Sequence, residues 1–538
     1  MRSALSAVAV AASVGILCAQ VPERALQQIR PESIRAHMQF LADDLLEGRG
    51  TATRGHQLAA NYVAAQFIAL GMDPAFGQSF FQPVSLRHAE AIGTESSLIF
   101  SRGRQQLRLA YGADFVTPGD IHRESVSITG QVVFVGAGIA APELGRDDYA
   151  DIDVRGKIVA MLPEPIAKLS PSHGAYFESF ERRIEAAVER GAVGVLVLQT
   201  DSSLPWENAL QFANRGITGI TGALGKPQHP SKPIAGAGLG FEATRRLFEM
   251  GSLDLESILS RHREGRTQSV VLPVTASMRI RSRHTTLISP NVGAVIRGAD
   301  PVLKDEYVVY TAHLDHLGRG RPVNGDDIYN GALDNASGVA AMLAIARAFV
   351  SLPERPRRSI LFLATTGEEL GMLGSTYFTA QPSVPLANIA AVVNIDGATL
   401  MQYPLYRVTA RGGENSTLGR TAESAARRLK LEITQATALP IGSDHAPFLL
   451  RGIPVLWVSG AADTGRQDID GKRSQAEWMA QIYHSPKDDL NQSLDFESAA
   501  GLAQLDFLIG YEVAQNNERP RWTPGDFFGE KFGGSKVK

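Results

Sequence analysis

Five short segments of this 538-residue chain carry histidines or carboxylates where they could hold a metal ion. His313-Leu314-Asp315-His316 follows an apolar run, and Glu368-Glu369 follows another through Thr365-Thr366-Gly367. Asp396 ends a third run, Asp334 stands where a helix should begin, and His484 follows Tyr483 in a polar loop. Taken singly, each has an ordinary explanation. Asp334-Asn335 suits a helix cap and Asp396-Gly397 a turn. Paired glutamates commonly decorate a solvated face, and a lone histidine after a strand is commonly a satisfied surface or core residue. Their joint occurrence, each at a strand exit or helix start, outweighs the separate explanations. Imidazole nitrogen and carboxylate oxygen are ordinary ligands of divalent metal ions.

The elements around these segments explain how they could meet. Tyr307-Val308-Val309-Tyr310-Thr311-Ala312 is almost continuously apolar, as a strand buried on both faces should be. The runs 359–364, 389–395 and 453–458 have the same texture, and 335–349 reads as an apolar helix. Buried strands alternating with helices predict an α/β fold with a mostly parallel central sheet flanked by helices. In such sheets ligands gather at the carboxyl ends of the strands. Upstream, 31–81 reads as two helices joined by a loop at Leu45–Gly50. Residues 116–273 are rich in short strands and glycine, with one amphipathic helix near 180–189, and predict an inserted β-rich domain. The chain beyond Asn516 reads as an irregular tail.

Composition excludes some roles. The chain is 44% hydrophobic and 20% charged, with a formal net charge of -3, which gives no electrostatic reason to expect nucleic acid or an anionic membrane as partner. Arg2, the apolar run Ala4–Leu17 and small residues near Ala19 describe an export leader, so the protein is expected to be periplasmic or secreted. That run is shorter than the ~20 residues a bilayer span needs, and no later stable span is expected. Cys18, the single cysteine, lies in the leader; cleavage after Ala19 would leave neither disulfides nor thiolate ligands.

The motifs also carry a resemblance. Residues 307–318, Gly331-Ala332-Leu333-Asp334-Asn335-Ala336-Ser337-Gly338, Gly367-Glu368-Glu369 and Asn394-Ile395-Asp396 resemble the co-catalytic zinc aminopeptidases, in family order. Ser443-Asp444-His445-Ala446-Pro447-Phe448, Tyr483-His484-Ser485-Pro486-Lys487-Asp488 and the earlier Leu41–Arg49 continue the match. That family also contains glutamate carboxypeptidase and the catalytically silent transferrin receptor. The insert resembles a protease-associated domain, leaving 20–115 and 274–515 as the peptidase domain.

The resemblance implies two Zn²⁺ ions bridged by Asp334, one completed by His313 and Asp396 and the other by Glu369 and His484. It implies Glu368 as general base acting with a metal-bridging hydroxide, and Asp315 accepting the ring N–H of His313. Asp488 would orient His484, and Ser443, Asp444 and His445 would line the substrate pocket. Tyr483 would donate to an oxyanion or serve only as a packed tyrosine; both readings stand. Gly442 stands where some relatives carry arginine, and the peptide bond after Asp334 is expected to be cis. The expected activity is removal of N-terminal residues from peptides by a monomer. The rivals are a carboxypeptidase, for which Arg407 and Arg411 could supply cationic groups, a single-zinc cyclase of N-terminal glutamine, and a non-catalytic binding protein.

Overall fold

The computed structural model describes residues 23–163, 169–201, 203, 205–221, 234–265, 269–397 and 403–534. The expected leader, 1–19, lies outside the described residues. The chain divides into two compact units, with break points between Val84 and Ser85 and between Ile288 and Ser289.

The first unit is built on a mixed sheet. Four parallel strands form its centre, in the spatial order Val455–Gly460, Ile389–Asn394, Tyr307–His313 and Ser359–Thr365. Arg407–Arg411 adds antiparallel at one side and carries Glu432–Ala436 outside it. Residues 292–296 add antiparallel at the other side and pair in turn with Asp73–Pro74. Alternation along the strands explains the long apolar runs. Val308, Tyr310 and Ala312 pack in one core with Ile360, Phe362 and Ala364, while Val309, Leu361 and Leu363 are equally buried on the opposite face. Helices Pro31–Leu41, Arg54–Ala69, Ser337–Val350 and Phe496–Gln515 contribute to the first core. The stretch Ala332–Val350 is long and apolar enough to cross a membrane by length and composition, but it is buried within this unit.

Parallel register decides where chemistry can collect. His313 lies beside Thr365, and Thr311 beside Asn394, so the segments after all three strands leave the sheet on the same edge.

The second unit holds parallel strands Ser125–Phe134, Ile158–Met161, Gly194–Leu198 and Ala235–Leu239, with helices Phe180–Glu189, Phe241–Met250 and Leu255–Arg263. The insert expected at 116–273 is therefore longer at both ends. Ser97–Arg102 pairs with Gln105–Leu109 and with residues 275–279, which ties 85–115 and 274–288 to this unit. These strands are short and rich in Arg and Gln, which hid them in the sequence. The tail also differs from expectation: Phe527–Phe532 is helical, capped by Asp526, and Phe528 is fully buried. Trp522 donates to the Gly452 carbonyl at 3.1 Å. Buried aromatic area holds the segment where its Pro and Gly content suggested irregular chain.

Candidate metal centre

Each proposed ligand sits where the sheet edge delivers it. His313 is the last residue of its strand, Asp396 comes two residues after Asn394, and Glu369 lies in the turn after Thr365. Asp334 precedes helix Ser337–Val350, and the Asp334–Asn335 peptide is cis, as expected. His484 has φ 54°, a left-handed backbone in the turn after helix Gly471–Gln481. Gly338 is required by close approach: a Cβ there would stand 2.1 Å from Asn335 Oδ1. The same Asn335 donates to the Ile395 carbonyl at 2.9 Å and accepts from Gly338 and Gly397, fastening the Asp334 segment to the Asp396 segment.

The five side chains meet. Asp334 Oδ1 lies 3.1 Å from His313 Nε2, and Asp334 Oδ2 lies 3.2 Å from His484 Nε2. Asp396 Oδ1 is 3.3 Å from His313 Nε2, and Glu369 Oε2 is 3.1 Å from His484 Nε2. Asp334 thus stands between two groups, each of one histidine and one further carboxylate. His313, Asp334 and Glu369 each offer an atom within 4.8 Å of the others. His484 Nε2 and Glu369 Oε1 are buried yet have no hydrogen-bond partner, although they lie so close to opposite charges. Lone pairs that crowd together without hydrogen-bond geometry converge on a shared point, which suits a cation. The donors are oxygen and nitrogen only, appropriate to zinc or a similar divalent ion.

The supporting residues behave differently from expectation. His313 Nδ1 is held at 3.0 Å by the backbone carbonyl of Asp315, not by its carboxylate. A carbonyl can only accept, so Nδ1 carries the proton and Nε2 presents its lone pair to the cluster. The Asp315 carboxylate accepts instead from the Glu368 N–H at 3.1 Å and from the Thr51 hydroxyl at 2.9 Å. Asp488 makes no bond to His484. It accepts from the N–H groups of Leu333 and Asp334 at 2.9 and 3.0 Å, and so fixes the backbone of the central carboxylate. Ser443, Asp444 and His445, expected to line the substrate pocket, are fully buried and bonded to neighbouring side chains and backbone. Ser443 donates to Asp396 Oδ2 and accepts from Asn394, which accepts from Thr311 at 2.7 Å; the chain of hydrogen bonds orients Asp396. Asp444 accepts from Thr365 and Ser375, and His445 donates to the Pro440 carbonyl at 2.6 Å. Sequence spacing cannot reveal these inward rotamers.

Two buried residues received no role from the sequence. His316 Nδ1 lies 2.6 Å from Glu369 Oε1, and its ring stands edge-on to His484. Arg49 gives its guanidinium to the carbonyls of Leu314, Asn330 and Gly331 at 2.9, 2.6 and 2.9 Å, and also to that of Leu41. It thereby clamps the chain beside His313 to the chain before Asp334. Both residues were visible inside the matched motifs, but a charged residue's burial is decided by the fold.

Electrostatics reflects an excess of acid. Seven carboxylates (Asp315, Asp334, Glu368, Glu369, Asp396, Asp444 and Asp488) share this region with three histidines and Arg49. Burial, reinforced by Asp396, Asp444 and Glu369, pushes Glu368 well above the usual carboxylate range against the pull of His313. Burial also raises Asp444 to about 6, with His313 and its two hydroxyl donors opposing. His484 is lifted to about 9, because Asp334 and Glu369 outweigh a burial that would lower it. Burial raises the Tyr483 phenol, with the carboxylates adding, so its hydroxyl stays a neutral donor. The Tyr483 ring stacks on His484 at 3.7 Å and remains 37% exposed.

A mostly parallel sheet between helices thus gathers the candidate metal-ligand residues at one strand edge. Residues 291–506 match the model of Peptidase family M28. Among curated proteins, a probable leucine aminopeptidase 2 of Aspergillus oryzae is 24% identical over 290 residues, covering 50% of this chain and 51% of its own length. The aminopeptidase NAALADL1 of Mus musculus is 32% identical over 191 residues, covering 32% of this chain and 23% of its own length. The chain thus spans about half or less of these relatives. The solved aminopeptidase from Aneurinibacillus sp. strain AM-1 has the same fold, with a TM-score of 0.54 at 19% identity, over 93% of this chain and 97% of that one.

Proposed function

We propose that this protein is an exported zinc aminopeptidase that removes N-terminal residues from peptides. The observation that carries the reading is Asp334, whose two oxygens reach different histidines at 3.1 and 3.2 Å, as a carboxylate shared by two metal ions should. His313 and Asp396 would hold one zinc, and Glu369 and His484 the other. Bound zinc would polarise the scissile carbonyl and acidify water at about neutral pH. Glu368 would accept the proton of the attacking water and pass it to the leaving amine. Its backbone, fixed by Asp315, holds that carboxyl beside the cluster. Tyr483 would donate its neutral hydroxyl to the developing oxyanion. The free α-amino group of the substrate would be recognised by the carboxylates of the site. Residues 1–19 would be removed on export, and the second unit would act as a protease-associated domain.

The test is hydrolysis of aminoacyl-nitroanilides with free and N-acetylated termini, before and after chelation. Free substrates should turn over, blocked ones should not, and chelation should stop the reaction until zinc is returned. Equal rates on blocked and free substrates would sink the aminopeptidase reading. N-terminal sequencing of protein recovered outside the cytoplasm tests the leader, and a mature chain starting at Met1 refutes it.

A further inference from the structure

Two arginines occupy strand Arg407–Arg411, and the structure separates their roles. Arg407 is neutralised by Glu432 and Asp463, the latter at 2.9 Å. Arg411 has no acidic partner among the described residues. It stands directly across from Trp457 in the antiparallel register, with its guanidinium 4.8 Å from the centre of the indole ring. One nitrogen donates to the Ser459 hydroxyl at 2.6 Å; no described protein group accepts from the others. Trp457 in turn donates its indole N–H to the backbone carbonyl of Asp396 at 2.9 Å. An unpaired cation therefore lies one indole away from a proposed metal ligand.

That placement is unusual for a purely structural arginine. Arg411 is half-buried, and burial lowers its affinity for its proton, as expected for a cation taken from water without an anion. The fully buried Arg49, by contrast, is saturated by backbone carbonyls. Arg411 lies over the Trp457 ring with part of its planar fork unused among the described residues. Such a fork matches a carboxylate with two parallel hydrogen bonds. Trp457 and Ser459 fix it in advance, which reduces the entropy lost on binding.

We propose that Arg411, stacked on Trp457 beside Asp396, is an anion subsite that selects peptides carrying a carboxylate near the scissile bond. The inference rests on the hydrolase reading above. Two sources share this chemistry: an aspartate or glutamate side chain, and the free C-terminus of a dipeptide.

The experiment uses the full zinc-loaded protein. Glu- and Gln-nitroanilide are compared as one pair, and Leu-Gly with Leu-Gly-amide as the other. At least a tenfold preference in kcat/KM for the carboxylate member is expected in one pair, and the pair that discriminates names the source. R411M should bring that ratio close to one, and R411K should keep part of it. Ratios near one in both pairs for the wild type, or ratios unchanged in R411M, overturn the proposal. Calorimetric binding of L-glutamate against L-glutamine to the zinc-loaded protein, and of Leu-Gly against its amide to the chelated protein, reads the subsite without turnover or substitution. Equal affinities within both pairs overturn the proposal even if the variants fail to fold. A protein that binds the carboxylate members selectively but cleaves no substrate overturns the hydrolase reading while leaving the subsite standing.

Discussion

Asp488→Ala is the sharpest test of how the centre is supported. The sequence suggested that Asp488 orients His484, whereas the structure has it accept from the N–H groups of Leu333 and Asp334 at 2.9 and 3.0 Å, and from Gln492 at 2.7 Å. The Asp488 carboxylate and the two backbone donors are buried, so alanine would leave both donors without partners. Each unpaired buried donor costs about 1–3 kcal/mol, giving roughly 2–6 kcal/mol for the pair. Asn at 488 keeps one oxygen acceptor and should cost about half as much. The Asp334 backbone would loosen at the same time, and supporting substitutions of this kind lower metal affinity by about 10–100-fold. Denaturant midpoints and zinc titration against a competing chelator measure both effects. The expected order is wild type, then D488N, then D488A, in stability and in affinity. A D488A protein within about 0.5 kcal/mol of wild type, with unchanged zinc affinity, would refute the backbone-anchoring argument. Unchanged stability with a displaced His484 ring resonance would restore the role suggested by sequence.

Glu368→Gln should lower kcat by about 100- to 10,000-fold while two zinc ions remain bound by elemental analysis; loss of metal instead would make Glu368 a ligand. Ser443→Ala removes the hydroxyl that bonds Asp396 Oδ2 and should weaken zinc binding about tenfold with little change in the relative rates on different substrates; an altered substrate preference would make Ser443 a pocket residue instead. In the chelated protein His484 is raised from 6.5 to about 9, so the folded chain binds more protons than the unfolded chain between those values. That stability is complete below about pH 6.5 and lost as pH rises through about 9. With its side chain 33% exposed, the loss should be on the order of 2 kcal/mol, read as a falling Tm that zinc reverses. A chelated protein whose Tm rises over this range would contradict the argument.

The sequence alone determined a good deal. The apolar runs at 307–312, 359–364 and 389–395 dictated a doubly covered parallel sheet, because alternate residues on both faces are hydrophobic. Given that sheet, His313, Glu369 and Asp396 had to leave it along one edge, and the parallel register of Thr311, Ala312 and His313 with their neighbours delivers this. What the sequence could not determine was where polar side chains turn once the backbone is set. Asp315, Ser443 and Asp488 were recognisable as site residues, but their partners are backbone groups and hydroxyls brought in by other segments. Arg49 and residue 331 are 282 positions apart, and Arg407 and Arg411 have the same chemistry on one strand. Tertiary structure alone neutralised Arg407 with Glu432 and Asp463 and left Arg411 stacked and unpaired. The reason is physical: periodic hydrophobicity is a local property of the chain, whereas the pairing of a buried charge depends on which distant residues the fold brings within hydrogen-bond reach.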